Sequence, residues 1–515
     1  MSETKSYITT PIYYVNGAPH IGHAYTSVAA DILKRARQMD GSHVWLSTGV
    51  DEHGQKNEQV AAQSGLSPQA YLDLRAKEFR QLFDDLDVGY DYFVRTTAPF
   101  HIAGVVELEQ RLFDRSLLVK REYSGLYCTG CEQFKRNADL DETGHCRDHP
   151  TLTPELSTEV NYFFPLEPYR EALRRHLDAH PDWIRPASFA NEVQSMLEQS
   201  LEDLCISRPK SRVTLGIELP FDSDYVTYVW FDALTNYITN VGWPEQRSEE
   251  WWPFAEHLIG KDILKTHCIY WPCMLLALGL PLPAISVHSH WVGPGGQKMS
   301  KTTGNAVDPR EVMASFGVPA LRYYFARHMR SASDSQISPE LVEATHDAEL
   351  GNRIGNLLTR IVKFAQSRLG GVVPDPRGMA QAESDLVKRC EILATSARAA
   401  LAELDTIPVG AARLLEIADL LNDHLTKVAP WTSIKDPERT DEVGRVVYAV
   451  MDGLRMLLEA FWPISREISD RGLASLGRPP LSIPHVIEAG RLTAGAPLGE
   501  GVVLFPRRER APVGA

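Results

Sequence analysis

The feature that most restricts this chain is an alternation of strand and helix signals. A β-like run at residues 7–10 passes through Pro11-Ile-Tyr-Tyr-Val-Asn-Gly-Ala-Pro-His-Ile-Gly-His23 into a helical pattern. That pattern puts Ala29, Ile32, Leu33, Ala36 and Met39 on one face and stops at Gly41. Residues 43–50 form a second apolar run. Helical patterns follow over 68–86 and 99–117, with a strand-like 90–95 between them. Strands that alternate with helices predict an α/β fold around a parallel sheet. In such a sheet the ligand crevice opens beyond the carboxyl ends of the strands.

Chemistry-bearing residues stand at those ends. His20 and His23 sit at the mouth of the first helix, at i and i+3, on one face. Gly22 between them lets a ligand approach the backbone. A helix N-terminus favours phosphate, and two imidazole donors suit a transition state that spreads charge over phosphate oxygens. Alone, a His-x-x-His pair is more often an ordinary turn with two surface histidines. The second run ends in Thr48-Gly-Val-Asp-Glu-His-Gly54, which sets Asp51 and His53 beside that mouth. Asp51 suits a substrate ammonium.

The alternation then breaks. Cys128 and Cys131 are two residues apart, and Cys146 and His149 repeat the spacing after a fourteen-residue loop. Three thiolates and one imidazole fill the four positions of tetrahedral zinc, with none left for catalysis. This predicts a structural zinc knuckle in an insertion over 118–215. The other cysteines, Cys205, Cys268, Cys273 and Cys390, are scattered, which fits buried thiols in a reducing cytoplasm. The basic run Arg170, Arg174, Arg175, His176 is read as a solvated helix face.

The α/β pattern resumes at Tyr225-Val-Thr-Tyr-Val-Trp-Phe-Asp-Ala-Leu-Thr-Asn-Tyr237 and again at Glu256-His-Leu-Ile-Gly-Lys-Asp-Ile-Leu-Lys-Thr-His267. Trp230, Ala233, Tyr237, Ile263 and His267 could converge on an apolar pocket with hydroxyl and imidazole groups, although an aromatic stripe at this spacing is, alone, more often core than pocket. A last strand at 284–288 leads to Val292-Gly-Pro-Gly-Gly-Gln-Lys-Met-Ser-Lys-Thr-Thr-Gly-Asn305. Flexible backbone, Lys298 and Lys301, and the hydroxyls of Ser300, Thr302 and Thr303 suit a triphosphate. A lysine loop and a His-Ile-Gly-His turn at opposite ends of one fold make a chance pairing improbable. Beyond about residue 338 helical periodicity dominates, near 350–364, 386–404, 409–428 and 443–468, which predicts a bundle. The tail from 471 is rich in Gly and Pro and is expected to wrap back as an arm.

The net charge of −14 argues against a protein held to nucleic acid by overall charge, and leaves room for a local basic path. No apolar run reaches membrane-spanning length. The longest, 269–285, is broken by Pro272, Gly279, Pro281 and Pro283. The first residues have no apolar signal core, so a cytoplasmic protein is expected.

These motifs together resemble the class I aminoacyl-tRNA synthetases. His20-Ile-Gly-His23 matches one class signature and Lys298-Met-Ser-Lys-Thr302 the other, with Thr302 where serine is more frequent. Four segments narrow the resemblance to the bacterial methionine-specific members: Thr-Thr-Pro-Ile-Tyr-Tyr-Val-Asn-Gly, Gly-Val-Asp-Glu-His-Gly, Val-Trp-Phe-Asp-Ala-Leu-Thr-Asn-Tyr and Ile-Gly-Lys-Asp-Ile. The resemblance is weakest at 150–210 and in the tail. It implies a Rossmann-like catalytic domain in two halves, 1–117 and 216–290, split by the zinc-bearing insertion. A loop and link at 291–340, an anticodon-binding bundle at 341–470 and an arm at 471–515 complete it.

The implied reaction is methionine activation by ATP to methionyl-adenylate, then transfer to initiator and elongator methionine tRNAs. By the resemblance, His20, Gly22 and His23 bind ATP and stabilise the α-phosphate. Lys298, Ser300 and Lys301 close on the remaining phosphates with Mg²⁺. Asp51 pairs with methionine's ammonium, and Ile12, Tyr14, Trp230, Ala233, Leu234, Tyr237, Ile263 and His267 enclose the side chain. Some members have proline where Leu234 stands. Cys128, Cys131, Cys146 and His149 hold one zinc. Asn352, Asn356 and Arg360 at i, i+4 and i+8, with Trp431, read the anticodon. The chain ends without the extra domain that makes some members dimers, so a monomer is expected, with no membrane or DNA partner. The alternatives are another class I synthetase without an editing insertion, such as the cysteine enzyme, and a non-catalytic tRNA-binding module. The module has no need of both ATP elements.

Overall fold

The computed structural model describes residues 4–129, 133–135, 137–147, 151–297, 299 and 307–506. Cys131, His149, Lys298, Ser300 and Lys301 lie outside the described residues.

Six strands form one all-parallel sheet. They are β1 (Lys5–Tyr14), β2 (His43–Asp51), β3 (Tyr92–Arg95), β4 (Ile184–Arg185), β5 (Ala255–Gly260) and β6 (Ala284–His288), in spatial order β3-β2-β1-β5-β6-β4. Ile8, Leu46, Val50, Val94, Leu258, Ile259 and Val287 are all fully buried, as strands covered on both faces require. The chain runs outward one way from β1 and the other way from β5. The order therefore reverses between β1 and β5, and a crevice opens at their carboxyl ends.

The stretch expected to be wholly inserted departs from the sheet after helix Pro99–Asp114. It builds an antiparallel sheet of Gln133–Lys135, Val119–Cys128, Glu155–Phe164 and Leu204–Cys205. It also returns β4 to the edge of the main sheet. A two-residue strand is too short to carry a hydrophobic period, so sequence reasoning passed over it.

Helix α1 (Ile21–Met39) packs between the sheet and the helical region. Its middle is gripped by Arg322, on α3 (Val318–His328), which follows α2 (Val229–Thr239) in chain order. Arg322 is buried and donates to Asp31 Oδ2 at 2.5 Å, the Ile464 carbonyl at 2.6 Å and the Leu86 carbonyl at 2.9 Å. Burial works against the Asp31 carboxylate, but Arg35 and Arg322 outweigh it and keep its pKa below the usual range. At the end of α1, Arg37 bonds Glu256 at 2.7 Å and the Ala402 carbonyl at 3.0 Å. One helix thus meets the sheet and the bundle through buried charge.

The bundle consists of α4 (Asn356–Arg368), α5 (Gln381–Leu401), α6 (Ile407–Val428) and α7 (Thr440–Phe461). A further helix, Arg466–Ser475, carries regular structure past residue 470, so the irregular arm begins later than its composition suggests. The arm wraps back. Its Leu504 and Phe505 are buried, the Val373 N–H donates to the Ala496 carbonyl at 2.9 Å, and the His485 N–H donates to the Met39 carbonyl at 3.0 Å. Among the described residues no helix is long and apolar enough to cross a membrane.

Candidate active site

At the mouth of α1 the two histidines cap the helix for each other. His20 is the N-cap, and its Nδ1 accepts the Gly22 N–H at 3.1 Å. The His20 N–H donates to Nδ1 of His23, also at 3.1 Å. This is a capping box in which imidazoles replace the hydroxyl and carboxylate. An Nδ1 that accepts carries no proton, so each neutral ring holds its proton on Nε2 and offers an N–H donor there. The rings stack with centroids 3.7 Å apart, and His23 also lies against Tyr13 and Phe79. A Cβ on Gly22 would come within 3.1 Å of the His20 ring, so glycine is what lets that ring fold over the turn.

The pocket residues predicted from sequence gather at the same edge of the sheet. Asp51 ends β2 and is 3% exposed. Ala233, Leu234 and Tyr237 lie buried on α2, with Trp230 half-buried on its first turn. Ile12 and Tyr14 are half-buried on β1, and Ile263 half-buried beyond β5. The Tyr237 hydroxyl donates to His267 Nε2 at 2.8 Å, because His267 Nδ1 donates to the Ile263 carbonyl at 3.0 Å. Burial pushes the His267 imidazole down to about 4, so the ring is neutral and this tautomer is fixed. Burial pushes the Tyr237 hydroxyl well above its ordinary range, and Tyr7, Tyr13 and the Asp51 charge add to it.

The Tyr237 ring also stacks on His257 at 4.1 Å. His257 accepts from Trp271 Nε1 at 3.1 Å and donates to Thr9 Oγ1 at 2.8 Å. His267 stands in a π-helical turn, Thr266–Tyr270, which no periodic pattern announces.

Sequence reasoning missed two residues at the crevice. His288, last in β6, accepts the Thr26 hydroxyl at 2.9 Å and so ties the strand end to α1. Asp262, two residues past β5, accepts from His290 Nε2 at 3.0 Å. A carboxylate following a glycine at a strand end was the available signal. It lay inside Ile-Gly-Lys-Asp-Ile, from which the sequence reading singles out only Ile263.

Of the lysine loop the structure describes the base. Trp291–Val292 pairs in parallel with Ser335–Gln336, and Gly295 and Gly296 take φ of 76° and 80°, where a side chain would be strained. Of the four zinc-knuckle residues, Cys128 and Cys146 are described. Both thiols are buried and neither is in a disulfide. Cys128 ends the central hairpin strand of the inserted sheet.

On the bundle, Asn352, Asn356 and Arg360 are exposed. The expected regular α-face is modified, because His346–Gly355 is π-helical and α4 starts only at Asn356. Asn352 and Asn356 still meet, with Nδ2 3.4 Å from Oδ1. The Arg360 guanidinium lies 5.4 Å from the centre of the Trp431 ring and donates to Asn422 at 2.8 Å. A concavity of about 370 Å³ opens there, lined by Arg360, Lys363, Phe364 and Trp431 among others.

Residues 6–151 and 149–362 match the family model of the tRNA synthetases class I (M). The chain is 38% identical to a methionine–tRNA ligase of Streptomyces coelicolor, covering 98% of this chain and 97% of that protein. It is 40% identical to one of Thermosynechococcus vestitus, covering 91% and 89%. The Mycobacterium tuberculosis methionyl-tRNA synthetase in complex with methionyl-adenylate superposes with a TM-score of 0.92 at 31% identity, over 98% of this chain and all of that one. A helix mouth of paired imidazoles, buried polar and aromatic side chains gathered at the strand ends and full-length similarity meet in one conclusion: this chain belongs to the class I (M) tRNA synthetases, the family of the methionine–tRNA ligases.

Proposed function

We propose that the protein joins methionine to methionine tRNAs, initiator and elongator, in two steps in the cytoplasm. The observation that carries this reading is the juxtaposition of two Nε2–H donors at the α1 mouth with the Asp51–Tyr237–His267 pocket. Methionine's carboxylate attacks the α-phosphorus of ATP, a new O–P bond forms, and pyrophosphate leaves. A hydroxyl of the terminal adenosine of tRNA then attacks the acyl carbon, and AMP leaves.

In the first step Asp51 binds the ammonium. Trp230, Ala233, Leu234, Tyr237, Ile263, His267, Ile12 and Tyr14 enclose the thioether, a polarisable group that aromatic walls suit. His20 and His23 donate to the α-phosphate oxygens as charge grows on them, with Gly22 giving the backbone room. Lys298, Ser300 and Lys301 hold the β- and γ-phosphates of ATP, which enters as its magnesium complex. Most of the rate comes from placing the reactants in line and stabilising charge.

Cys128, Cys131, Cys146 and His149 would hold one zinc ion. The burial of the two described thiols supports that reading. A closed tetrahedral site supplies rigidity rather than chemistry, here for the inserted sheet. Asn352, Asn356, Arg360 and Trp431 bind the anticodon, by amide and guanidinium hydrogen bonds and by stacking. The division into catalytic halves 1–117 and 216–290, insertion 118–215, link 291–340, bundle 341–470 and arm 471–515 follows the same reading.

The test is charging of transcribed tRNAs with labelled methionine. Initiator and elongator methionine tRNAs are expected to accept it and a cysteine tRNA is not. Failure with both methionine tRNAs contradicts the proposal.

A further inference from the structure

The pocket has two walls from distant parts of the chain. One is the end of β2 with the turn after it, which carry Asp51 and His53. The other is the first turn of α2, which carries Trp230 and Ala233. Between Trp230 and Ala233 stands Asp232, 1% exposed. One carboxylate oxygen accepts from His53 Nδ1 at 2.7 Å, and the other accepts from His101 Nε2 at 2.6 Å. His101 is itself fully buried, and its Nδ1 meets Thr239 Oγ1 at 2.9 Å, at the far end of α2. Asn57 donates to the carbonyls of Asp51 and His53 at 3.1 and 3.0 Å and so fixes the turn that Asp232 reaches.

We propose that Asp232 is a positioning residue for methionine, holding the Asp51–His53 wall against the Trp230–Ala233 wall through its bond to His53. This rests on the reading of the pocket as the methionine site.

Three observations favour positioning over binding. Both Asp232 oxygens are already engaged by imidazoles, so the carboxylate does not compete with Asp51 for an ammonium. Burial opposes protonation of His53, yet the Asp232 charge and hydrogen bond outweigh it and raise the His53 pKa, so the carboxylate favours the charged ring and strengthens the 2.7 Å link. The neighbouring Glu109 accepts from Thr227 Oγ1 at 2.8 Å, and burial raises its carboxyl well above the ordinary range. That direction favours the neutral acid, which brings no competing charge to the pair.

A link that shapes the pocket equally for bound methionine and for the transition state changes KM and leaves kcat. The test is methionine-dependent ATP–pyrophosphate exchange by Asp232→Asn, His53→Gln and the double variant. The expected result is a KM for methionine about tenfold higher in each single variant, with kcat and the KM for ATP within about twofold. The double variant is expected to be no worse than the poorer single one, because both remove one bond. Multiplied effects in the double variant, an unchanged methionine KM, or an equal fall in kcat would each overturn the proposal. If Asp232→Asn does not fold, His53→Gln decides alone: a methionine KM like that of wild type refutes the positioning role. Wild-type protein without methionine-dependent exchange would instead refute the pocket reading itself.

Discussion

The pocket at the strand ends and the face on the bundle differ in how much of their chemistry is already satisfied. Tyr237 and His267 are each 2% exposed and locked in one tautomeric arrangement by the Ile263 carbonyl. Trp431 is 39% exposed, with a guanidinium alongside its ring, and two asparagines stand in solvent nearby. A small, flexible amino acid gains most from a site built in advance, since ordering it is then the main cost. A nucleotide loop brings its own bases to stack and needs platforms left open. Both regions use a π-helical turn, Thr266–Tyr270 and His346–Gly355, where the widened turn re-aims side chains that a regular helix would space evenly.

The contrast is broken most sharply at Asp51. If Asp51 binds the ammonium as proposed, Asp51→Asn should lower kcat/KM for methionine by about a hundred- to several thousandfold, on the 3–5 kcal/mol scale of a broken buried pair. Tenfold or less in pyrophosphate exchange would take the ammonium out of that wall.

Next comes His20→Asn, which separates capping from chemistry. Asparagine is as good an N-cap as most, so stability should change by less than about 1 kcal/mol. The lost donor should lower kcat about a hundredfold. A large drop in melting temperature with kcat preserved would reduce the pair to a helix cap.

Trp431→Ala probes the open region. Charging of tRNA should fall about tenfold or more, the worth of one stacked base, while exchange without tRNA stays within about twofold. A matching fall in both would make Trp431 a structural residue.

Tyr237→Phe leaves the buried His267 Nε2 without its hydroxyl donor, so the methionine KM should rise about tenfold, on the 1–3 kcal/mol scale of an unsatisfied buried acceptor. No change would mean the pocket is looser than its hydrogen bonds suggest.

The smallest effect is on acid stability. Unfolded imidazoles take up protons as pH falls through 6.5, whereas folded His267 and His288 do so only near 4. The unfolded chain binds more protons in that window, so these two groups lower stability progressively from pH 6.5 towards 4. Urea unfolding at pH 7.5 and 5.5 should give the lower midpoint at 5.5, and His267→Asn should narrow the gap. Equal midpoints would mean that these rings are not buried neutral.

The features legible in the sequence are those with a period or a fixed spacing. Strands at 43–50 and 284–288 and helices at 68–86 and 99–117 emerge in the structure as His43–Asp51, Ala284–His288, Pro68–Asp85 and Pro99–Asp114. His20 and His23 were legible because a turn between strand and helix has a known chemistry. The capping role of their Nδ1 atoms was not, because imidazole is not the usual N-cap. The Asp232 network was hidden for another reason. His53, His101 and Asp232 are joined only by tertiary contact, over separations of 179 and 131 residues, and no local pattern encodes that. The two π turns were hidden because they break the very period from which helices are read.

ATP–pyrophosphate exchange without tRNA, run with each amino acid in turn, tests the central claim most directly. A preformed pocket of this chemistry predicts exchange with methionine and none with cysteine or leucine. Exchange with cysteine or leucine and none with methionine would contradict it.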